Sequence, residues 1–353
     1  MPAAIRWCYL EMARVAITGG SGYIGSALGE ALIGQFDVRI LDTKISRLRE
    51  AEFVQCDIRN YAEVEKGVSD VDLVIHAAIV QIPQINENKR LGYEVNILGT
   101  HNVCEAVQNS QRCKGLLLVS TWHTMGEIGI TGVVDERFGL RPDMVEERAR
   151  AYSLSKMGQE AIVRLHDESS REKIYGVVRI GTTLGEGMPE KTAANIFINK
   201  AIKGEALTPY EHSMYRPMLY VDVGDVCRAF KSYASKILEK KIVPAGNSLE
   251  HIANVYHPDA ITILELAQFV RQAVENCSDG KIVPTINVVR TGEPMLFTSG
   301  SKKLIKIDIN KSKELLEMGT LTDPRETIAR IVRNRMTAKP ASSSLIGSSA
   351  EPG

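Results

Sequence analysis

Short apolar runs and segments with helical spacing alternate along the first half of the chain. Residues Arg14–Thr18 form one such run, and a glycine-rich turn joins it to apolar positions at helical spacing over 24–33 and to a second run at 37–41. This order predicts a strand, a helix and a parallel strand. Near-continuous apolar strands are typical of a doubly wound parallel α/β sheet. Further predicted strands lie at 73–76, 115–120 and 175–179, and further helices at 93–109 and 152–168.

The regular alternation ends near residue 180, which predicts a division into a large domain and a smaller, mostly C-terminal α/β domain. Before the C terminus the composition turns to Ser, Pro, Ala and Gly, which cannot form a packed core, so a disordered tail is expected there. The predicted limits are 12–180 for the large domain, 181–336 for the smaller domain and 337–353 for the tail. Within the second range, the chain is expected to return to the large sheet around 218–260.

The composition of the chain disfavours several classes of binding partner. Lys plus Arg and Asp plus Glu both number 43 in the 353 residues, so the formal net charge is zero and no long-range field attracts nucleic acid or an anionic membrane. The six cysteines are scattered without a Cys-x-x-Cys pair, which disfavours zinc and a disulfide framework. No apolar stretch approaches the roughly 18 residues of a membrane span. We therefore expect a cytoplasmic protein without a metal, a nucleic-acid partner or a membrane partner.

A glycine pattern follows the first predicted strand. Residues 18–25 read Thr-Gly-Gly-Ser-Gly-Tyr-Ile-Gly, which contains Gly-x-x-Gly-x-x-Gly at Gly19, Gly22 and Gly25 and an overlapping Gly-x-Gly-x-x-Gly. Glycine allows a sharp turn and a close approach to a pyrophosphate, and the start of the next helix supplies amide donors to the phosphate charge. The pattern predicts a dinucleotide site.

Acidic residues near the ends of the next two strands bear on the choice of dinucleotide. Asp42 lies where a carboxylate accepts hydrogen bonds from the adenosine ribose and repels the extra phosphate of NADP, so NAD is the expected cofactor. Nearby Lys44 and Arg47 keep NADP open as an alternative. Asp57, followed by Ile58, either reaches the adenine edge or caps a helix, and the sequence leaves both open.

Tyr152 and Lys156 lie four residues apart, on one face of a predicted helix. A lysine ammonium and a positively charged nicotinamide ring beside a phenol favour the phenolate and lower the pKa of the tyrosine from its ordinary value near 10. Tyr152 is therefore a candidate to take a proton from a substrate hydroxyl, while Lys156 holds the nicotinamide ribose.

Several motifs occur in the order found in one enzyme family. They are the loop 18–25, His76-Ala77-Ala78, Asn-Ile-Leu-Gly-Thr at 96–100, Ser120-Thr121, Tyr152 with Lys156, and the segments 216–222 and 308–316. From about Arg14 to Met336 the chain resembles the extended short-chain dehydrogenase/reductase family, and within it most closely the UDP-sugar 4-epimerases. The resemblance implies a Rossmann-type NAD-binding domain, a nucleotide-sugar substrate bound by the smaller domain, and a homodimer that pairs through 93–109 and 152–168.

The resemblance also implies roles for individual residues. Thr121, Tyr152 and Lys156 would be catalytic, with Thr121 orienting the reacting hydroxyl, and Arg216 would bind the pyrophosphate of the substrate. The implied cofactor residues are Gly19, Gly22, Tyr23, Ile24, Gly25, Asp42, Asp57, Ile58, Ala77, Ala78, Asn96, Tyr152 and Lys156, with Asn96 acting as a support. The implied substrate residues are Thr121, His123, Arg179, Thr182 and Arg216.

Departures from the family pattern bear on the reaction. Sugar-nucleotide dehydratases follow the threonine with Asp-Glu, whereas this chain has Trp122-His123, which disfavours elimination of water. The expected function is therefore C4 epimerisation of a UDP-sugar through a transient keto intermediate. Met125 and Leu184 replace tyrosines that are common near the substrate in this family. The sequence therefore leaves the identity of the sugar open. A net dehydrogenase or ketoreductase and a non-catalytic dinucleotide sensor are the alternatives, the sensor being disfavoured by the retained Thr121, Tyr152 and Lys156.

Overall fold

A parallel sheet of seven strands forms the centre of the computed structural model, which describes residues 12–337. In chain order the strands are β1 (Arg14–Thr18), β2 (Asp37–Asp42), β3 (Glu52–Gln55), β4 (Leu73–His76), β5 (Gly115–Thr121), β6 (Gly132–Val134), β7 (Ile174–Ile180), β8 (Thr182–Leu184), β9 (Pro217–Met218), β10 (Tyr220–Asp222), β11 (Ile252–Val255), β12 (Ile261–Thr262) and β13 (Ile305–Ile307). The central sheet has the order β11-β7-β5-β4-β1-β2-β3 with every pair parallel. The predicted doubly wound α/β fold is confirmed.

Helices pack around this sheet. They are α1 (Tyr23–Leu32), α2 (Tyr61–Val68), α3 (Gln84–Glu87), α4 (Lys89–Tyr93), α5 (Thr100–Asn109), α6 (Arg150–Ser169), α7 (Ala193–Ile202), α8 (Val223–Leu238), α9 (Ile263–Cys277), α10 (Asn310–Leu316) and α11 (Pro324–Thr337). A π-helical turn at Glu94–Gly99 joins α4 to α5, so the predicted helix 93–109 is interrupted by wider turns. π-turns of this kind are frequent at functional sites.

Alternate residues of the buried strands face two separate cores. In β1, Val15 and Ile17 belong to the cluster that includes apolar residues of α1 and α8, whereas Ala16 belongs to the cluster on the other face, with residues of α2 and α5. Because strand side chains alternate between faces, a strand that is covered on both sides must be apolar throughout. This explains why the apolar runs in the sequence located these strands to within about one residue.

The chain leaves the central sheet after β7 and later returns to it. The strands β8, β9, β10 and β12 form two small separate sheets, and a third core includes apolar residues of α7, α9 and α11. The return, predicted around 218–260, includes α8 and then β11, which pairs with β7. The domain limits 12–180 and 181–336 stay a prediction. Of the predicted tail 337–353, Thr337 ends α11 and the remainder lies outside the described residues.

Further observations concern thiols, metals and membranes. Cys56, Cys104, Cys113, Cys227 and Cys277 are free thiols, and Cys8 lies outside the described residues. Between residues 12 and 337, no three His, Cys, Asp or Glu side chains converge as metal ligands would. In the same range, every helix is too short or too polar to cross a bilayer.

Candidate functional site

A cleft of about 1710 Å³ opens at the carboxyl ends of the parallel strands. Its floor lies where the strand order reverses between β1 and β4, the position at which open α/β sheets bind ligands. Segments from the second half of the chain form the opposite wall. Pockets for one small ligand measure roughly 300–1,000 Å³, so this cleft has room for a dinucleotide and a second molecule.

The glycine loop between β1 and α1 forms one end of the cleft. Gly19 has φ +67°, and a Cβ atom there would lie 2.5 Å from the Cα atom of Ala78. A Cβ atom on Gly25 would lie 2.2 Å from the carbonyl oxygen of Gly19. Side chains are thus excluded from a cradle at the N terminus of α1, where Gly22, Tyr23 and Ile24 also line the cleft. This cradle fits the pyrophosphate of a dinucleotide.

Asp42 lies at the end of β2 and is fixed to the glycine loop. Its Oδ2 atom accepts a hydrogen bond from the amide of Ser21 at 3.0 Å, and its Oδ1 atom accepts one from the amide of Lys44 at 2.9 Å. Asp42 and Lys44 both line the cleft. The structure therefore brings the predicted ribose ligand, and the lysine that favours NADP, to the same end of the cleft.

Asp57 and Ile58 line the cleft beyond Asp42. The helix α2 is capped by Asn60, whose side chain accepts a hydrogen bond from the amide of Ala62, so Asp57 is not its cap. Asp57 instead pairs with Arg59, and hydrogen bonding by this guanidinium lowers the pKa of the Asp57 carboxyl. Arg59 also lines the cleft, although no pattern in the sequence predicted it.

Thr121, Tyr152 and Lys156 meet at the floor of the cleft. Thr121 ends β5, and the other two lie one turn apart on α6. Burial raises the pKa of Tyr152 to about 12, and a hydrogen bond with the side chain of Thr121 opposes part of this rise. The three predicted catalytic side chains are thus brought together by a strand end and a neighbouring helix.

Among the protein groups alone, Lys156 does not lower the pKa of the phenol, and its predicted effect together with a bound nicotinamide ring stays a prediction. The Nζ atom of Lys156 donates to the carbonyl oxygen of Val119 at 2.7 Å, and the side chain is buried. Burial lowers the pKa of Lys156 to about 7, against the opposing effect of the Glu160 carboxylate. Desolvation therefore dominates both groups, and the pKa of Tyr152 rises rather than falls.

Asn96 lies behind the cleft wall rather than in it. Its side chain accepts from the amide of Val80 at 2.7 Å, donates to the carbonyl of Val80 at 3.1 Å, and donates to the hydroxyl of Ser155 at 2.9 Å. Asn96 therefore ties the Val80 segment, which lines the cleft together with Ala77 and Ala78, to α6. These hydrogen bonds fit the predicted support role, and the side chain of Asn96 does not line the cleft.

Arg179 does not line the cleft, which corrects its predicted role in substrate binding. Its Nε atom donates to Glu160 at 3.1 Å, and its Nη1 atom donates to the carbonyl of Phe138 at 3.1 Å. Both charged side chains are almost fully buried. Arg179 is therefore a structural residue that joins β7 to α6 and to the loop at Phe138.

Arg216 lines the cleft as predicted, but it has a partner that the sequence did not reveal. Its guanidinium makes two close contacts with the carboxylate of Glu146, and the ring centroid of Phe297 lies 5.8 Å away. Glu146 also accepts from the Nε atom of Arg148 at 3.1 Å. Burial lowers the pKa of Arg216. Nothing in the sequence marked this loop except its place just before the helix of Tyr152.

His123 and Thr182 line the cleft, and the ring of His123 lies beside Tyr152. The imidazole Nδ1 atom contacts the carboxylate of Glu127, which is 3% exposed. Burial alone would raise the pKa of Glu127, but the charge and hydrogen bond of His123 lower it to about 2. The hydroxyl of Thr182 accepts from the indole Nε1 atom of Trp122 at 3.1 Å.

The opposite wall includes polar and aromatic side chains that sequence analysis did not select. A stacked pair of rings, Tyr210 and His212, has centroids 5.7 Å apart. A segment much later in the chain lies against this pair, with the carboxylate of Glu293 at 3.4 Å from the Nε2 atom of His212. The sequence offered only a general indication of these residues, because binding residues are common in the loops and turns that a sheet positions. The unselected residues of this wall include Lys191, Lys200, Tyr210, His212, Glu293 and Leu296.

Comparisons with known proteins agree with this geometry. A protein assigned as a UDP-glucose 4-epimerase in Methanocaldococcus jannaschii is 31% identical over 227 residues, which are 61% of this chain and 71% of that protein. UDP-glucuronic acid decarboxylase 1 of Danio rerio is 26% identical over 280 residues, 77% of this chain and 63% of that protein.

Among solved structures, the UDP-glucose 4-epimerase of Thermus thermophilus in complex with NAD aligns with a TM-score of 0.71 at 23% identity, over 92% of this chain and all of that chain. At this identity the likeness shows the fold alone. The model of the NAD-dependent epimerase/dehydratase family matches residues 15–246. The match spans more than half of the chain and confirms the resemblance, so this protein belongs to the NAD-dependent epimerase/dehydratase family, as an enzyme whose cofactor is NAD.

Proposed function

We propose that the protein catalyses NAD-dependent C4 epimerisation of a UDP-sugar. The observation that carries this proposal is the meeting of Thr121, Tyr152 and Lys156 in one cleft with the glycine cradle. A phenol beside a threonine hydroxyl can exchange a proton with a sugar hydroxyl that contacts both groups. An epimerase needs no further group for water or carbon dioxide to leave.

The residues of the cradle and the first strand ends would hold the cofactor. The amides at the start of α1 would bind the pyrophosphate, Asp42 the adenosine ribose, and Lys156 the nicotinamide ribose. The chemistry that bound NAD supplies is a reversible hydride exchange with the substrate carbon. Tyr152 would take the proton from the hydroxyl on that carbon and later return it, while Thr121 orients the hydroxyl.

A nucleotide-sugar substrate is supported by relatives and by charge. The relatives from Methanocaldococcus jannaschii and Danio rerio are described as a UDP-glucose 4-epimerase and a UDP-glucuronic acid decarboxylase. On the wall away from the glycine loop, the cleft presents Arg216, Arg148 and Lys200. Arginine suits the paired oxygens of a diphosphate.

A panel of UDP-, GDP- and dTDP-sugars tests the proposal. We expect NMR to detect a C4 epimer of at least one UDP-sugar while the nicotinamide absorbance stays flat. Stoichiometric growth of that absorbance would instead indicate a net dehydrogenase. A panel without any product, with NAD still bound, would indicate a sensor.

The carboxylate of Asp42 is expected to set the preference for NAD. In Asp42→Ala the ribose loses its acceptor and the 2′-phosphate of NADP loses a repulsive charge, so affinity for NAD should fall more than affinity for NADP. Calorimetric titration of both dinucleotides measures the ratio. Asp259→Ala is the matched control, because this exposed aspartate lies outside the cleft lining. An unchanged ratio in Asp42→Ala would exclude the ribose contact.

A homodimer is proposed from an exposed apolar face on the neighbouring helices α5 and α6 and the turn before α5. Leu98 is 49% exposed and Leu165 66% exposed, and a shallow groove includes Ile97, Leu98 and Ile162. Burial of such side chains favours association. Leu98→Glu should convert dimer to monomer in light scattering, whereas Val243→Glu, at an even more exposed apolar side chain elsewhere, should not. A wild-type monomer at high concentration would contradict the proposal.

A further inference from the structure

We propose that His123, oriented by Glu127, is a catalytic acid–base residue that exchanges a proton on a sugar carbon next to the oxidised one. This inference rests on the proposed function, since it needs a transient ketone on the sugar. It adds a second proton-transfer site to the cleft besides the phenol of Tyr152.

The tautomer of His123 is set by a buried carboxylate. The Nδ1 atom contacts Glu127, whose own side chain is held because its second oxygen accepts from the amide of Glu146 at 3.2 Å. A carboxylate on Nδ1 keeps the proton there and leaves Nε2 as a base. Within residues 12–337, Nε2 forms no hydrogen bond with another side chain or with the backbone.

The position of the ring is fixed as well. The amide of His123 donates to the hydroxyl of Thr121 at 3.3 Å, and the indole of Trp122 packs against the imidazole with centroids 4.4 Å apart. The imidazole is 17% exposed, and it lines the cleft. A restrained, partly exposed imidazole that lines the cleft and is held at Nδ1 by a carboxylate is the arrangement of a general base.

The ring also lies beside the group that meets the sugar hydroxyl. The centroids of His123 and Tyr152 are 6.2 Å apart with the ring planes at 78°. Neighbouring carbons of a sugar are separated by a single bond. The two rings are in edge-to-face contact and both line the cleft, so a sugar whose hydroxyl contacts Tyr152 has its neighbouring carbons close to the imidazole as well.

The proposed step conserves atoms and electrons. A ketone at C4 acidifies the hydrogens on C3 and C5. Nε2 of His123 removes one of them as a proton, the C–H electron pair forms the enolate, and the ketone oxygen takes the negative charge. The same nitrogen returns a proton to the carbon and restores the ketone. Because the imidazole is partly exposed, its proton exchanges with water before it is returned.

Solvent isotope exchange tests this step without any variant. The protein is incubated with UDP-glucose, UDP-galactose or UDP-glucuronate in D₂O, and deuterium is located by NMR and mass. We expect deuterium at C3 or C5 of the recovered sugar. The C4 hydrogen moves without meeting water and should remain protium, which provides an internal reference.

Variants of His123 and Glu127 then test whether these two residues cause the exchange. His123→Asn keeps an amide donor near Glu127 but removes Nε2, and it should slow deuterium incorporation about 10²-fold with unchanged NAD affinity. Glu127 is a positioning residue, so Glu127→Gln should lower the maximal exchange rate while the KM for the sugar stays nearly constant. His257→Gln is the matched control, because His257 lies outside the cleft lining.

The outcomes separate this inference from the proposed function. A C4 epimer with protium retained at C3 and C5 overturns the role of His123 and leaves the proposed function standing. Deuterium at C3 or C5 without a C4 epimer overturns C4 epimerisation and supports His123. Exchange that persists in a folded His123→Asn variant also overturns the inference.

Discussion

Tyr152→Phe is expected to lower turnover of a UDP-sugar by at least about 10²-fold, because proton transfer by a positioned side chain contributes roughly 10²–10⁴-fold. The phenol oxygen is removed while the ring still fills its place between Thr121 and His123. Affinity for NAD should be nearly unchanged, since the glycine cradle and Asp42 lie elsewhere in the cleft. Initial rates and calorimetric titration with NAD measure the two effects separately.

Tyr61→Phe is the matched control for this variant. Tyr61 begins α2, and its hydroxyl accepts from Asn109, away from the cleft. We expect full activity. Turnover that survives in Tyr152→Phe would remove the phenol from the reaction and with it the proposed function.

Glu160→Gln is expected to lower the free energy of unfolding by about 3–5 kcal/mol, the cost of leaving a buried charge without its partner. Arg179 stays protonated in proteins and cannot neutralise itself. Its side chain is 1% exposed, so water cannot replace the lost carboxylate. Urea denaturation at equilibrium measures the change.

Removing the charges of both Glu160 and Arg179 tests whether an unpaired buried charge causes the loss of stability. A double Glu160→Leu, Arg179→Met variant leaves no unpaired buried charge and should regain part of the stability. Glu239→Gln, in the exposed pair with Lys241, should change stability little. If Glu160→Gln unfolds like the wild type, the pair does not carry the stability that its burial indicates.

Local patterns in the sequence predicted the parts of the fold that depend on neighbouring residues. β1 and β4 have the predicted limits because each is a short run that is buried on both faces. The glycine loop and the pairing of Tyr152 with Lys156 also follow from spacing along one element. The central sheet and most of the cleft floor were therefore predictable.

Contacts between distant segments were not predictable in the same way. β11 is a four-residue strand that pairs with β7, more than 70 positions earlier in the chain. No local sequence pattern predicts such a pairing. Arg179 and Arg216 are both arginines at motif positions, yet one is buried against Glu160 and the other opens on the cleft. Only the fold distinguishes these environments, because the carboxylate partners lie 19 and 70 residues away.

The carboxylate of Glu146 acts as an intramolecular competitor for any anion that approaches Arg216. To displace Glu146, a ligand must offer the guanidinium at least as good a pair of oxygens. The released carboxylate of Glu146 must also keep a cationic partner, and Arg148 already donates to it through its Nε atom. An anion that offers only one oxygen cannot meet the first condition, whereas a diphosphate can. Glu146 would thereby make occupancy of this arginine selective for bidentate groups, at the expense of overall affinity.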